Sequence, residues 1–320
     1  MLESTCRSFA IIPWHDFARR ATSAFSETKR FKSLYWQARA LGSAYKAEFL
    51  ENAVIERRPF QALSGDRCGW LQARHHFSPP ADPDSGWGAL RFWNDDEIAP
   101  NSGFPPHAHA NMEIITYVRD GAVTHRDSLG NTGHIVAGDV QMMSAGTGIQ
   151  HAEFNLEPQM ARIFQIWITP KAEGGAPAWG TKPFPKQDRA GRFVTLASGF
   201  ETDDDALPIR AEARVLGATL NRGQSLTYDS EARRFLYLVP AAGSVKVNGV
   251  QVDARDGAAI KELHQLTITA LHDSELVLVD APPLCTEKWG RLRCPRRAVW
   301  WVRDDALAMK RPSQTFDACI

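Results

Sequence analysis

The sequence predicts an all-β protein built from two tandem barrels, with irregular extensions at both ends. From Val54 onward, short runs of alternating apolar and polar residues are separated by Gly, Asp, Asn and Pro. Turns such as Asp120-Gly121 and Ala137-Gly138-Asp139 place residues that tolerate positive φ where an antiparallel pair must reverse. A second series of similar runs follows the first. The pattern is that of a meander or jelly roll, and not of alternating strands and helices.

The chain length favours two domains of similar size. At 320 residues it exceeds one ordinary core of roughly 100 to 200 residues. We predict an N-terminal extension over 1–53, a first barrel over 54–186, a second barrel over 187–283 and a C-terminal tail over 284–320.

The N-terminal extension differs from the rest of the chain in composition and in hydrophobic periodicity. It shows weak helical periodicity from Phe31 to Leu50 and several basic residues, so it is interpreted as partly helical or loosely ordered. A targeting peptide is the alternative, since such segments are rich in Arg and Ser, but the acidic residues Glu3, Asp16 and Glu27 weaken it.

Each barrel has its own set of strand candidates. Between them, residues 169–192 are rich in Pro, Gly and Lys and are predicted to be a connector. The first series comprises Gly69 to His76, Ala89 to Asn94, Glu113 to Val118, Ala122 to Asp127, Gly133 to Val136, Val140 to Ser144 and Ala161 to Thr169. The second comprises Phe193 to Leu196, Ala213 to Leu220, Gln224 to Tyr228, Arg234 to Val239, Ser244 to Val247, Ala258 to Lys261, Gln265 to Ala270 and Glu275 to Val279.

The two series resemble each other. The run Phe235-Leu-Tyr-Leu-Val and the glycine turns after it parallel Ile114-Ile-Thr-Tyr-Val and its own glycine turns. This weak internal repeat predicts two copies of one barrel.

Composition excludes several classes of function. Lysine plus arginine equals aspartate plus glutamate, at 37 each, so no charge footprint favours direct binding to nucleic acid or an anionic membrane. Five scattered cysteines without a C-x-x-C pair fit a reducing compartment. No apolar run approaches the roughly 20 residues needed to span a bilayer. We expect a cytoplasmic monomer, with a protein partner left open.

The chemistry is concentrated in Phe104-Pro-Pro-His107-Ala-His109 and in His151-Ala-Glu153. Alternate side chains of a strand point to one face, so His107 and His109 share a face, and so do His151 and Glu153. Three imidazoles and one carboxylate on strands close enough to pair suit a divalent transition metal that keeps positions open for other ligands.

None of the other histidines forms a His-x-His pair. His125 and His134 are interpreted as structural, and His75-His76 point to opposite faces of a strand, so at most one of them faces a pocket. In the second series, His264 and His272 form no His-x-His pair, which predicts no second metal site.

These residues resemble the pirin family of bicupins. The resemblance is carried by Phe104-x-x-His107-x-His109, Met112-Glu113-Ile-Ile-Thr-Tyr117, His125-x-Asp127-Ser-x-Gly130, Gly138-Asp139-Val-Gln141-x-Met143-x-Ala145-Gly146-x-Gly148 and His151-x-Glu153. It covers roughly Ile55 to Pro283, is highly specific in the N-terminal half and rests on pattern alone in the C-terminal half.

The resemblance implies two cupin barrels with a metal in the N-terminal one, held by His107, His109, His151 and Glu153. Iron(II) is the metal it implies first, with Ni, Cu, Mn, Co and Zn as alternatives. Some bacterial members resemble quercetin 2,3-dioxygenases, which open a flavonol ring with O2. Animal relatives resemble transcription cofactors, so a metal- or redox-sensing protein that binds partner proteins is the alternative function.

Two carboxylates need separate roles. Glu113 lies four residues past His109, about 13 Å along an unbroken strand, so we favour Glu113 as an acceptor of an imidazole N–H over a metal ligand. Glu153 is predicted to be both a ligand and the general base that takes the flavonol 3-hydroxyl proton.

Overall fold

The computed structural model describes residues 54–77, 86–231 and 233–284. The predictions for the N-terminal extension and for the tail beyond Leu284 lie outside the described residues. Two short 3-10 helices span Phe60–Ala62 and Lys186–Arg189. The strands are β1 Val54–Arg58, β2 Arg67–Cys68, β3 Leu71–His75, β4 Leu90–Ile98, β5 Ser102–His109, β6 Glu113–Asp120, β7 Ala122–Asp127, β8 Thr132–Val136, β9 Asp139–Ser144, β10 Ile149–Asn155, β11 Ala161–Ile168, β12 Ala178–Pro183, β13 Val194–Ser198, β14 Leu207–Pro208, β15 Arg214–Leu220, β16 Ser225–Asp229, β17 Phe235–Ala242, β18 Ser244–Val247, β19 Val250–Asp253, β20 Gly257–Lys261, β21 Gln265–Ala270 and β22 Ser274–Ala281.

The strands form four sheets that repeat one topology. The first barrel combines a four-stranded sheet, β5-β10-β7-β8, with a seven-stranded sheet whose centre is β9-β6-β11-β4. Adding eleven to each strand number reproduces the second barrel, β16-β21-β18-β19 facing β20-β17-β22-β15. The predicted internal repeat and the all-β class are therefore confirmed.

Each barrel has one outer strand that is not among its predicted strands. β1 pairs with β20 of the second barrel, and β12 pairs with β9 of the first. The prediction that residues 169–192 form only a connector was wrong, because its extended Ala178–Pro183 segment completes a sheet edge. Val54–Arg58 likewise joins the sheet of the second barrel, although the sequence assigned it to the first. The remaining domain boundaries stay predictions.

The two seven-stranded sheets share a core. Ile115 and Tyr117 of β6 pack in one buried cluster with Tyr237 and Val277 of the second barrel. The alternate residues Ile114, Thr116 and Val118 are also buried, as expected for a strand covered on both faces. This double burial explains the nearly continuous apolar runs of β6, β17 and β22.

Apolar side chains fill the interior of the second barrel. Leu226 of β16 and Leu266 and Ile268 of β21 lie in its interior cluster, on the strands that correspond to β5 and β10. Within the described residues, both groups of side chains able to hold a metal lie in the first barrel. No helix in the described part of the chain is long and apolar enough to cross a bilayer.

Candidate metal centre

The two strands that carry the predicted ligands are neighbours. β5 and β10 pair antiparallel, with His151 directly opposite His107 and Ile149 opposite His109. A pair directly opposite across two strands has its Cβ atoms about 5 Å apart, so the register itself brings these imidazoles together.

An irregularity in β5 adjusts this pairing. After the His151 and His107 pair, the next match is Glu153 with Phe104, so Pro105 and Pro106 face a single residue of β10. Proline has no N–H to give to the ladder, which is why it is accepted at such a bulge. The bulge ends at a tight contact, since a Cβ on Gly103 would lie 2.2 Å from the carbonyl oxygen of Glu153.

The structure brings His107, His109 and His151 together. One ring nitrogen from each lies within 4.8 Å of the others. The His107 Nδ1–H donates to the carbonyl of Pro105 at 2.7 Å, so the Nε2 of His107 carries the free lone pair. This is the orientation in which an imidazole binds a metal while a backbone carbonyl holds its other nitrogen.

The electrostatics favour neutral imidazoles. Burial, followed by the neighbouring His107 and His151, lowers the pKa of His109 to about 3. Burial, followed by His107 and His125, lowers the pKa of His151 to about 3. Both rings therefore present lone pairs at neutral pH.

His151 fits a metal for a second reason. Both of its ring nitrogens are buried, and within the described residues neither has a hydrogen-bond partner. Buried polar atoms are normally satisfied, so a metal bound to one of these nitrogens would remove an otherwise unpaid desolvation cost.

Glu153 is fully buried. Its Oε1 accepts hydrogen bonds from the amide of Gln141 at 2.8 Å and the hydroxyl of Thr116 at 3.3 Å. Its Oε2 accepts one from the amide of Gln165 at 2.8 Å. A carboxylate offers about four acceptor positions, so one position, on Oε2, remains for a metal.

The structure groups Glu153 with His151 and His125, whose ligand atoms lie within 4.8 Å of one another, and not with His107 and His109. His125 therefore lies at the site, although the sequence interpretation made it structural. Its Nε2 contacts Asp127 at 3.1 Å, and its buried Nδ1 has no partner among the described residues. Pairing of β7 with β10 sets Glu153 directly opposite His125.

The other candidates lie elsewhere. The carboxylate of Glu113 accepts hydrogen bonds from the Ser144 hydroxyl at 2.5 Å and the Arg210 backbone at 3.1 Å, in place of the expected imidazole. Burial raises the pKa of Glu113. His134 pairs with Glu157 on the surface.

His75 and His76 are both buried outside the metal groups. The Nδ1 of His75 contacts Asn94 at 2.7 Å, and the Nδ1 of His76 contacts the hydroxyl of Tyr237 at 3.0 Å.

Sequence reasoning missed the groups that surround Glu153. Gln141 and Gln165 are single amides inside buried apolar strands, and that isolation was the available signal. Trp167 and Trp179 could not be placed, because the pairings of β11 and β12 join distant parts of the chain.

Comparisons with known proteins identify the family of the chain. The pirin profile matches residues 56–168, and the profile of the quercetinase C-terminal cupin domain matches residues 195–281. A pirin-like protein of Caulobacter vibrioides is 67% identical over 231 residues, which cover 71% of this chain and 100% of that protein. The chain belongs to the pirin family. The resemblance drawn from the motifs and the fold of two cupin barrels are thus confirmed.

Two further relatives have names that refer to a reaction or a bound metal. Quercetin 2,3-dioxygenase of Escherichia coli (strain K12) is 36% identical over 220 residues, covering 68% of this chain and 94% of that protein. The crystal structure of the bacterial pirin YhhW from Escherichia coli in complex with nickel(II) is 34% identical, with a TM-score of 0.67, and the match covers 72% of this chain and 100% of that one.

Proposed function

We propose that this pirin is a metal-dependent dioxygenase that opens flavonols such as quercetin with O2. The observation that carries the proposal is the cluster of His107, His109 and His151, whose ligand nitrogens lie within 4.8 Å of one another. A relative named quercetin 2,3-dioxygenase and a nickel-bound relative support the choice of chemistry.

We assign four ligands, His107, His109, His151 and Glu153. The three imidazoles meet through the pairing of β5 with β10, and Glu153 follows His151 on the same face of β10. We favour iron(II), with Ni, Cu, Mn, Co and Zn as alternatives, because nitrogen and oxygen ligands accept all of these metals. When bound, the metal supplies redox chemistry toward O2 and acidifies a coordinated hydroxyl.

Glu153 is the proposed general base. Its carboxylate is held at both oxygens by the neutral donors Gln141, Gln165 and Thr116, so it stays fixed in the site. The Oε2 of Glu153 would receive the flavonol 3-hydroxyl proton at the position that it otherwise offers to the metal, leaving an electron-rich enolate to react with O2. The substrates of the proposed reaction are thus a flavonol-like small molecule and O2, and the reaction takes place in a monomer.

The test is O2 uptake on quercetin by the metal-loaded protein. Glu153→Gln should keep the fold and abolish O2 uptake, whereas His134→Ala, which alters an exposed histidine paired with Glu157, should leave it unchanged. A Glu153→Gln variant that binds its metal and still consumes O2 with quercetin would refute the role of the carboxylate. A loaded parent that consumes no O2 with any of several flavonols, but binds a partner protein only when metal is present, would favour the sensing alternative.

A further inference from the structure

Two arms of hydrogen bonds run from tryptophan side chains to the carboxylate of Glu153. In one arm, the indole N–H of Trp179 donates to the amide oxygen of Gln141 at 2.9 Å, and the Gln141 amide nitrogen donates to Oε1 of Glu153 at 2.8 Å. In the other, Trp167 donates to Gln165 at 3.1 Å, and Gln165 donates to Oε2 at 2.8 Å. Each carboxylate oxygen therefore ends one arm.

The indole and the carboxylate together select which way each amide points, and the indole holds the amide oxygen in place. An indole N–H can only donate, so a glutamine beside it must present its oxygen to the ring and its –NH2 to the carboxylate. The reverse orientation would aim an amide oxygen at the negatively charged Glu153. The carboxylate, which only accepts, selects the same orientation from the other end, so a phenylalanine in place of either tryptophan would fill similar space but would leave that glutamine held at one end only.

The strands make both arms rigid. Gln165 and Trp167 are two residues apart on β11 and share a face. Trp179 comes from β12, which pairs with β9 and so places Trp179 opposite Met143, two residues from Gln141. Gly133 on β8 leaves room for the ring, because a Cβ there would lie 2.5 Å from Cζ2 of Trp179.

Both indoles also border the imidazoles and are partly exposed. The Trp167 ring meets His109 edge to face, with centroids 5.0 Å apart, and the Trp179 ring stacks on His125 at 5.1 Å with planes 13° apart. The two arms thus reach the metal centre through three strands, β9 and β12 for one arm and β11 for the other.

We propose that Trp167 and Trp179 are positioning residues for Glu153. Through Gln141 and Gln165 they set the direction in which the carboxylate presents its free lone pair to a metal. This inference rests on the metal centre of the proposed function but not on the dioxygenase reaction.

Cobalt(II) binding tests the inference without substrate. We would measure the Kd by calorimetric titration and the visible d–d absorption of the cobalt-loaded protein for Trp167→Phe and Trp179→Phe. Loss of a group that hydrogen-bonds a metal ligand directly typically weakens binding about 10- to 100-fold. Because each indole acts through a glutamine, we expect the lower end, about tenfold, with shifted d–d bands. Trp87→Phe is the matched control, since Trp87 is partly buried and its indole N–H donates to Ile260 in the second barrel.

Gly133→Ala gives an independent perturbation of the same arm. The added methyl group would push the Trp179 ring, and the backbone of Gly133 is not in the left-handed region. We expect it to weaken cobalt(II) binding in the parent and to have no further effect in a Trp179→Phe background, which lacks the atoms that the methyl group meets. Such non-additivity is expected only if both changes act through one contact.

Each outcome is decisive. Trp167→Phe and Trp179→Phe variants with the parent Kd and unchanged d–d bands would overturn the inference, even if their melting temperatures fell. A parent that binds no cobalt(II) would overturn both the inference and the metal centre. A parent that binds cobalt(II) but shows no O2 uptake after iron loading would refute the dioxygenase function alone.

Discussion

The substitution Gly103→Ala should damage the metal centre from the far end of the β5 bulge. A methyl group at residue 103 would lie 2.2 Å from the carbonyl oxygen of Glu153 and 2.6 Å from the Cα of Phe154. Non-bonded carbon atoms prefer separations of about 3.5 to 4.0 Å, so β5 must retreat from β10 by about 1 Å. Both obstacles are backbone atoms, and no side-chain rotation can relieve the clash.

The size of the effect follows from that displacement. Forcing one extra methyl group into a packed site costs about 1 to 3 kcal/mol, so we expect the free energy of unfolding to fall by about 2 kcal/mol. Metal sites tolerate distance errors of only about 0.2 Å, and the imidazoles of β5 would move away from His151 on β10. We therefore expect nickel(II) binding to weaken by at least tenfold.

Urea unfolding of the metal-free protein and calorimetric titration with nickel(II) measure the two effects. Gly69→Ala is the matched control, because Gly69 has no atom within 4 Å of its built Cβ and no left-handed backbone. A Gly103→Ala protein with the stability and nickel(II) affinity of the parent would show that the strand contact does not position the ligands.

Two further predictions concern the rest of the molecule. Burial, followed by the charge of Arg58, lowers the pKa of His76 to about 3, so below pH 6.5 the unfolded chain binds one more proton than the folded chain, and stability falls as the pH falls. Between pH 7 and pH 5, His76 should lower the free energy of unfolding by about 2 kcal/mol. Urea unfolding of His76→Gln should therefore show a pH dependence that is smaller by that amount. Equal pH dependence in parent and variant would contradict the burial of a neutral His76. Asp280→Ala should lower the free energy of unfolding by about 3 to 5 kcal/mol, because Asp280 is the buried partner of Arg234 and Tyr228 in the second barrel. The nickel(II) stoichiometry should stay unchanged, and urea unfolding curves and metal analysis measure the two quantities. Loss of metal in a folded Asp280→Ala variant would contradict the assignment of metal binding to the first barrel alone.

Local pattern was sufficient to predict most of the strands, although β2, β12, β14 and β19 were missed. Alternation with a period of two and glycine turns located Ser244–Val247 and Gln265–Ala270 at their observed bounds. The same rule placed His107 and His109 on one face, because the period of a strand is independent of its partners. Strands that pair far along the chain, such as β1 and β12, could not be assigned to a sheet from local signals.

The residues around the ligands were harder to predict from the sequence than the ligands themselves. His125 has the same i, i+2 spacing to Asp127 that drew attention to the predicted ligands, but its place beside Glu153 depends on the pairing of β7 with β10. Ala178–Pro183 has Pro and Gly in and around it, and these residues indicate a loop in isolation. In the structure, this segment is the strand that brings Trp179 to the site.

The most direct test of the account is metal analysis of protein purified without added metal, with O2 uptake on quercetin measured in the same sample. We predict about one metal ion per chain, O2 uptake by the parent, and loss of both metal and uptake in a His107→Ala variant that remains folded. A His107→Ala variant that keeps its metal and its O2 uptake, or a parent that holds no metal, would contradict the assignment of the imidazole cluster as the active centre.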